Sequence, residues 1–583
     1  YKGGIPARYG GRLSSILDVR MKEGNSKSLN INGGVGFIFS RLAIEAPIVK
    51  DKASFIVAGR RSYIDVLAKP FLTDGLEGSI LNFYDLTLKT NYNINEKNRV
   101  YLSGYFGRDN FGFGEAAGFN WGNSTGTARW NHLFSDKLFS NFTFYFSDYD
   151  YKINFGDDAV NKFTWNANIE NYSLKPELTY FINPRNILRF GGQGIVYTFE
   201  PGNAVGVSEG EVSDVSLANK YALESALYVE MEQDISSNLS LNYGLRLSHF
   251  NYAGKGNAYT YGEAAPGQRK PVTGTESFGQ WESIQTYLNL EPRFSIKYQL
   301  TPSSSVKSSY NRTTQYIHLI SNTTASTPVD VWTPSTNNIK PQIGDQVALG
   351  YFKNLSNNKY ELSAEVYYKK MQHLVDYIDG ADLLLNEFIE GDLLEGEGRA
   401  YGLELQGKKN KGKLTGWLSY TLARTERLVD GINQNNWYPS RFDQLHNLSI
   451  SAFYDINDRW SFGGTFVYNT GTPTTFATTR YEQQGYIVPH NGNDTRNNVR
   501  IPDYHRLDIS ATRKGKAKKE GDRWIGEWVF SVYNLYNRRN PFSIFFRQPS
   551  DRVLAEQPTT TEAVQLSVIG SFIPSISYNF KFQ

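Results

Sequence analysis

Residues 238–250 read NLSLNYGLRLSHF. In an extended chain Leu239, Leu241, Tyr243, Leu245 and Leu247 share one face, and Ser240, Asn242, Gly244, Arg246 and Ser248 share the other. One face suits hydrocarbon and the other suits water. The same alternation recurs from Lys359 onward, where Leu362, Ala364, Val366 and Tyr368 oppose Glu361, Ser363, Glu365 and Tyr367. After Gly398, Tyr401, Leu403 and Leu405 alternate with Gly402, Glu404 and Gln406. At the end of the chain Phe572, Pro574, Ile576, Tyr578, Phe580 and Phe582 oppose Ser575, Ser577, Asn579 and Lys581.

A soluble sandwich also alternates, but these segments are long and set Glu, Lys and Arg opposite bulky aromatics. Their connections alternate between short and long. The short ones are turn-rich: Val49-Lys50-Asp51-Lys52, Asn95-Glu96-Lys97-Asn98, Ser135-Asp136-Lys137, Asn183-Pro184-Arg185-Asn186, Ser236-Ser237-Asn238, Thr301-Pro302-Ser303, Ser356-Asn357-Asn358, Asn410-Lys411-Gly412 and Asn457-Asp458-Arg459. Between them lie long segments, at 251–282, 313–341, 371–397, 471–501 and 537–566. Tight turns on one rim and long loops on the other are the arrangement of an outer-membrane barrel. The expected fold is all-β: a transmembrane antiparallel β-barrel of about 22 strands, with about 20 or 24 as the neighbouring counts. A barrel that wide is usually plugged.

Composition agrees. The chain has 583 residues, 15% aromatic, with 39 Tyr, 36 Phe, 52 Gly and no Cys. Mean hydropathy is −0.47 and no apolar run is long enough for a transmembrane helix. A barrel escapes that test because only alternate residues meet lipid. The 61 basic and 58 acidic residues leave a net charge of +3, which argues against a nucleic-acid partner. The absence of Cys removes thiol chemistry and Cys-based zinc sites. No export signal is visible and the chain opens at Tyr1, so it reads as a fragment whose N-terminal part lies elsewhere.

Several blocks, in order, resemble TonB-dependent receptors of the Bacteroidota kind. Residues 5–20, IPARYGGRLSSILDVR, look like the end of their plug domain. Residues 82–86 (NFYDL) and 101–109 (YLSGYFGRD) are similar to the early barrel; Glu291-Pro292-Arg293, Lys340-Pro341-Gln342 and Leu349-Gly350-Tyr351 to its middle. Residues 400–404 (AYGLE), 416–422 (GWLSYTL), 441–447 (RFDQLHN), 470–473 (TGTP) and 532–541 (VYNLYNRRNP) complete the set. The resemblance implies a 22-stranded barrel in the outer membrane of a Gram-negative cell, with residues 1–23 as the C-terminal remnant of the plug and 24–583 as the barrel. It implies import of a ligand, powered by the TonB–ExbB–ExbD energy-coupling system through the N-terminal part. Outer-membrane lipids and lipopolysaccharide would surround the barrel, and a surface lipoprotein or other outer-membrane subunits are further partners to consider. The TonB box and most of the plug are not in this sequence.

No catalytic constellation is present, so an enzyme is not expected, nor a cofactor or resident metal. The seven His are scattered. Gly33-Gly34-Val35-Gly36 has the look of a phosphate loop but lies on an expected strand with no helix after it. Asn491-Gly492-Asn493-Asp494 could offer oxygen ligands to calcium, though a polar loop tip is the commoner reading. Asn311-Arg312-Thr313 matches a glycosylation sequon by chance.

Ionisable residues expected on the lumen face are Glu177, Glu224, Glu230, Arg246, Glu291, Arg293, Glu365 and Glu404. The resemblance implies plug arginines paired with barrel glutamates. The candidates are Arg8, Arg12 and Arg20 against Glu230, Glu365 and Glu404; a lumenal charge can also simply be solvated. Trp332, Trp437, Tyr438 and Tyr481 are loop aromatics able to stack on a ligand, with loop packing or interface anchoring as the plainer reading. The alternatives to an importer are a structural barrel in a larger outer-membrane complex with its plug displaced or disordered, an open porin-like channel, and a soluble lectin-like β-protein. Ferric siderophore, cobalamin, oligosaccharide and peptide all stay open as ligands.

Overall fold

The computed structural model describes residues 1–63, 65–66, 79–113, 117–156, 161–208, 211–320, 331–383, 385–483, 486–491, 495–515, 523–547, 562–567 and 570–583. Among them, one continuous sheet carries 24 strands. Two are accessories: Glu211–Ser216, the return arm of a hairpin on Asn186–Ser208, and the two-residue Tyr438–Pro439. The remainder form a closed antiparallel barrel of 22 strands, as the alternation predicts. Closure comes where the first strand, Asn30–Gly36, pairs with the last, Ile573–Phe582, from Ile31–Phe582 to Gly36–Ser577.

The register shows why the sequence makes a membrane wall. At one height Leu349, Val366, Leu403 and Leu422 stand side by side on four adjacent strands. One step up the same face are Val347, Tyr368, Tyr401 and Arg424, and above these Asp345, Lys370, Arg399 and Glu426. The top row is ion-paired, Arg399 to Glu426 at 2.8 Å and Arg312 to Asp345 at 2.8 Å. Apolar, then tyrosine, then charge is the sequence of environments met on leaving hydrocarbon for the headgroups. On this outer face Leu227 is 68% exposed and Leu288 65% exposed, which a protein surrounded by water would not sustain around its whole girth.

The wall is uneven. Trp460–Asn469 and Trp524–Tyr533 have 10 residues each, whereas Asn161–Asn183 and Asn186–Ser208 have 23. About ten tilted residues cross the bilayer, so the long strands stand well above it. All nine short turns fall where the sequence places them. The long segments are shorter as loops than they read: 313–341 and 371–397 give up Thr313–Gln315, Met371–Tyr377 and Leu393–Glu397 to the wall. Above the membrane both faces of a strand meet water, so alternation fades while backbone pairing continues.

At the seam, Gly33 lies under the ring of Phe580; a Cβ there would stand 2.2 Å from Phe580 Cζ. The Gly33–Gly34 pair is thus part of barrel closure, on a strand and with no helix after it. A Cβ at Gly126, by contrast, would meet nothing within 4 Å. Gly33→Ala should therefore lower the temperature at which the barrel loses its fast mobility on unboiled gels, while Gly126→Ala should leave it unchanged or raise it.

Candidate functional site in the lumen and its mouth

The lumen is occupied on one side by residues 1–24, which form neither helix nor strand. The segment folds on itself: Tyr9 N–H donates to the Pro6 carbonyl at 3.0 Å and Ile16 N–H to the Tyr1 carbonyl at 3.0 Å. Gly10 passes so close to the wall that a Cβ would lie 2.4 Å from Arg246 Nε, and Gly11 has a φ of +77°. Both positions need glycine, for approach and for backbone hand respectively. Ile5, Ala7 and Leu13 are buried against the wall.

The wall grips this segment mostly by its backbone. Ala7 N–H donates to Glu230 Oε2 at 2.7 Å, and Glu230 is 1% exposed. Arg293 Nη1 donates to the carbonyls of Ile5 and Pro6, both at 3.2 Å, while its Nη2 donates to Glu291 Oε2 at 2.7 Å. Lys369 Nζ donates to the Leu13 carbonyl at 2.6 Å and to that of Ser14 at 3.2 Å. Gln315 Oε1 accepts from Leu13 N–H at 3.2 Å, and Gln346 Nε2 donates to the Lys2 carbonyl at 3.0 Å. Buried charges are tolerable here because each has partners.

The candidate side chains fall into this frame unevenly. Arg8 Nη1 lies 3.7 Å from Glu230 Oε1, so that pair is brought together. Glu404 pairs with Lys2, not with an arginine. Glu365 stands directly opposite Glu404 in the register and lines, with Lys2 and Gln346, a cavity of about 280 Å³. Arg12 donates to its neighbour's carbonyl, Gly11 O, at 2.7 Å. Arg20 pairs with Asp18 at 3.2 Å and is mostly exposed. Sequence reasoning missed Lys369, Gln315 and Gln346, because a donor to a backbone carbonyl has no partner residue type to search for. Position on the lumen face was the only available signal.

The mouth is covered by loops. Ile320, Val331, Ile339, Leu383, Ile389 and Leu393 pack as one apolar cluster against Ile153 and Trp165 of the tall wall. Polar ties hold the cover: Lys220 to Glu390 at 2.9 Å, Asn338 Nδ2 to Glu390 Oε2 at 2.6 Å and Arg496 to Asp376 at 2.8 Å. Trp332 lines a cavity of about 90 Å³ here with Trp165, Tyr252 and Tyr259. Tyr438 is 1% exposed and donates to Asp376 Oδ2 at 2.6 Å, so it packs inside the cover. The Arg399 guanidinium lies 4.2 Å over the Trp437 ring. Tyr481 is exposed on the hairpin Thr479–Gln483 with Tyr486–His490. Of the calcium candidate, Gly492, Asn493 and Asp494 lie outside the described residues; Asn491 Oδ1 accepts from Thr495 Oγ1 at 3.2 Å. Among the described residues no group of three metal-ligating side chains occurs.

These features meet a family match. The profile for the TonB dependent receptor-like β-barrel covers residues 62–535. The chain belongs to the TonB-dependent receptors. A search of curated proteins finds no match. Solved structures of similar fold include the ferric-catecholate import receptor Fiu of E. coli K12, with 14% identity, a TM-score of 0.63, and coverage of 96% of this chain and 82% of that one. The siderophore receptor PiuA of Acinetobacter baumannii has 13% identity, a TM-score of 0.62 and the same coverages. The copper transporter OprC has 11% identity, a TM-score of 0.63, and coverages of 97% and 82%. The receptor is thus an outer-membrane barrel, and receptors of this family work with the TonB energy-coupling system.

His318 gives the cover a pH dependence. It is 1% exposed, its Nε2 lies 2.8 Å from Ser335 Oγ, and its Nδ1 has no partner among the described residues. Burial, with Arg12 nearby adding to it, pushes its pKa down to about 3. A base whose pKa is lowered by folding binds more protons when unfolded. Its neutral form therefore costs nothing above the ordinary histidine range, and stability is lost as pH falls below about 6.5 toward 3. The loss amounts to about 2 kcal/mol at pH 5. Limited proteolysis of the loops should speed up between pH 7.5 and pH 5, and His318→Gln should flatten that dependence. For the lumen grip, Glu230→Gln and Arg293→Met should expose residues 5–14 to trypsin at least tenfold faster, with the barrel's unfolding temperature little changed.

Proposed function

We propose that this receptor imports a hydrophilic ligand too large to diffuse across the outer membrane, and that residues 1–23 are the C-terminal end of its plug. The observation that carries this reading is the grip on residues 1–14. It is buried and charged, yet made mainly to backbone groups and to a segment with no regular structure of its own. A permanent structural filler would be packed by side chains. A segment held by separate hydrogen bonds can be drawn off one bond at a time when a force acts on the chain before it.

The loop cover supports ligand capture. Trp165, Trp332, Tyr252 and Tyr259 line its small cavity beside the Lys220–Glu390 pair. That set can stack on a ligand's flat face and hydrogen-bond its edge. The receptors of similar fold handle ferric chelates or copper, so a metal chelate is the first cargo class to test, with oligosaccharide and peptide next. The protein contributes shape, binding and gating, and no covalent step is needed.

The test is growth of a deletion strain on single sources of iron, copper, sugar and peptide. Restoration of a nutrient-specific defect by the full-length chain with its TonB-contacting segment, and not by the same chain without it, is expected. Equal rescue by both chains would sink the reading.

A further inference from the structure

The tall side of the barrel reverses its faces above the membrane. On Asn161–Asn183 the outward residues run upward from Leu174 and Tyr172, both exposed, to Glu170, Asn168 and Asn166. The inward residues at that height are Trp165 and its register partner Ile153, buried under the cover. Hydrocarbon ends near Tyr172. Asn168 and Asn166 stand about 13 and 20 Å farther along the strand, or about 10 and 15 Å in height once tilt is allowed for. Both lie past the polar headgroup layer of about 6 Å, where lipopolysaccharide presents sugar.

The sheet divides at this height. Asn186–Ser208 pairs with Lys220–Asp234 as far up as Phe199, and from Asn203 onward with Glu211–Ser216 instead. On its other edge Pro201 and Gly202 together oppose the single Ala167, a β-bulge. Glycine is needed in it, since a Cβ at Gly202 would lie 2.1 Å from Trp165 Nε1. Bulge and split leave a cavity of about 380 Å³ in the outer wall, lined by Arg108, Asp150, Lys152, Asn166, Glu200 and Asn203. Asn219 closes one end, its Nδ2 donating to Glu200 Oε1 at 3.4 Å.

The charges of this cleft cancel. Arg108 holds Asp150 by two hydrogen bonds of 2.7 Å, and Lys152 is matched in sign by Glu200. Among the described residues the side chains of Lys152, Asn166 and Asn203 have no hydrogen-bond partner. Amides that both donate and accept suit a hydroxyl-rich neutral ligand, and the lining offers a phosphate no excess of positive charge. An aromatic pair adjoins the cleft. Tyr221, two residues beyond Asn219, pairs with Thr198, which lies two residues below Glu200 on the same face. Trp281 leans on Tyr221 with ring centroids 5.6 Å apart and is 44% exposed. Its φ is +59°, a hand that bulky residues rarely adopt, and its N–H is tied to the Gly254 carbonyl at 2.8 Å. Backbone strain that holds an indole out in solvent points to a contact outside the chain.

We propose that this cleft and the Tyr221–Trp281 pair hold a neutral sugar of one lipopolysaccharide molecule standing in the surrounding leaflet. The amides would take its hydroxyls and the rings its C–H face. The leaflet is the source because the cleft opens outward, on the opposite side of the wall from the lumen. Leu174 and Tyr172 lie below it on the same face, where the same molecule's acyl chains would rest. The proposal does not rest on the import reading.

The full-length receptor, stripped of lipid in detergent, would be incubated with lipopolysaccharide of intact core or with lipid A bearing no core sugar. Lipid retained through a detergent wash would be counted by native mass spectrometry. The variants are Asn166→Ala combined with Asn203→Ala, and Trp281→Ala alone. Glu397→Gln, on the outer face of a distant strand, is the comparison, and unboiled gel mobility confirms that each barrel is folded. Both cleft variants are expected to retain about tenfold less lipopolysaccharide than the wild type, the scale of a lost pair of hydrogen bonds. Glu397→Gln should match the wild type, and lipid A without sugar should bind all four proteins alike and weakly. Equal retention of lipopolysaccharide by every variant overturns the site, and so does retention of lipid A as strong as that of lipopolysaccharide. Undiminished retention together with a growth defect of the cleft variants on an oligosaccharide would assign the cleft to cargo and overturn the lipid occupant. Growth with and without the TonB-contacting segment tests import separately.

Discussion

Everything in this molecule depends on closing the ring of backbone hydrogen bonds in a medium that offers none. In hydrocarbon an unpaired N–H or C=O costs several kcal/mol, so the sheet must meet itself. It does so over the short seam between Asn30–Gly36 and Ile573–Phe582. Once the ring is closed, parity is no longer free. A residue's face is fixed by counting from any known neighbour, and a slip of one residue would turn every leucine inward. The seam shows the tightness of that condition, since Phe580 fits only because position 33 has no side chain.

Parity then produces the lumen chemistry. With lipid claiming alternate residues, the remaining ones face a water-filled space and are polar by necessity. Polar necessity does not say which polar groups. On one arc the lumen face carries Glu230, Arg293, Lys369 and Glu404, and on another it carries Ser510, Ser531 and Ser575 at one height with Asp508 and Glu527 on the same face. Burial separates the two. Glu230, Glu291 and Arg293 are nearly inaccessible because residues 5–8 lie on them, and they are tolerable there only as a mutually satisfied set.

The barrel was legible in the sequence because its signal is repeated on every strand. The turns at 49–52 and 457–459, and the lumen face of Arg246 and Glu404, follow from a period of two that lipid enforces. Legibility ended wherever lipid stopped enforcing it. Above the membrane the strands through Tyr377 and Leu393 continue without alternation, so they read as loops. Tyr438 looked like an available aromatic, but its burial beside Asp376 comes from strand ends far apart in the chain. In the lumen, expecting arginine–glutamate pairs found Arg8 with Glu230. It could not find Lys369, whose partners are the carbonyls of Leu13 and Ser14 and leave no mark in composition.

The two obstacles to passage differ in kind, and the difference suits their positions. The cover at the mouth is an apolar cluster joined by a few buried polar ties, with a neutral histidine inside it. Such an assembly opens cooperatively, in response to whatever competes for its contacts: a ligand, or a proton. The grip in the lumen is a row of separate hydrogen bonds along an irregular strand of backbone. Its members are too well buried to be lost to solvent competition. Pulled from one end, however, they break in turn, each at a cost of about 1–3 kcal/mol, so no single step has to overcome the sum. A force applied along the chain is therefore the natural agent for the inner obstacle, and binding chemistry the natural agent for the outer one.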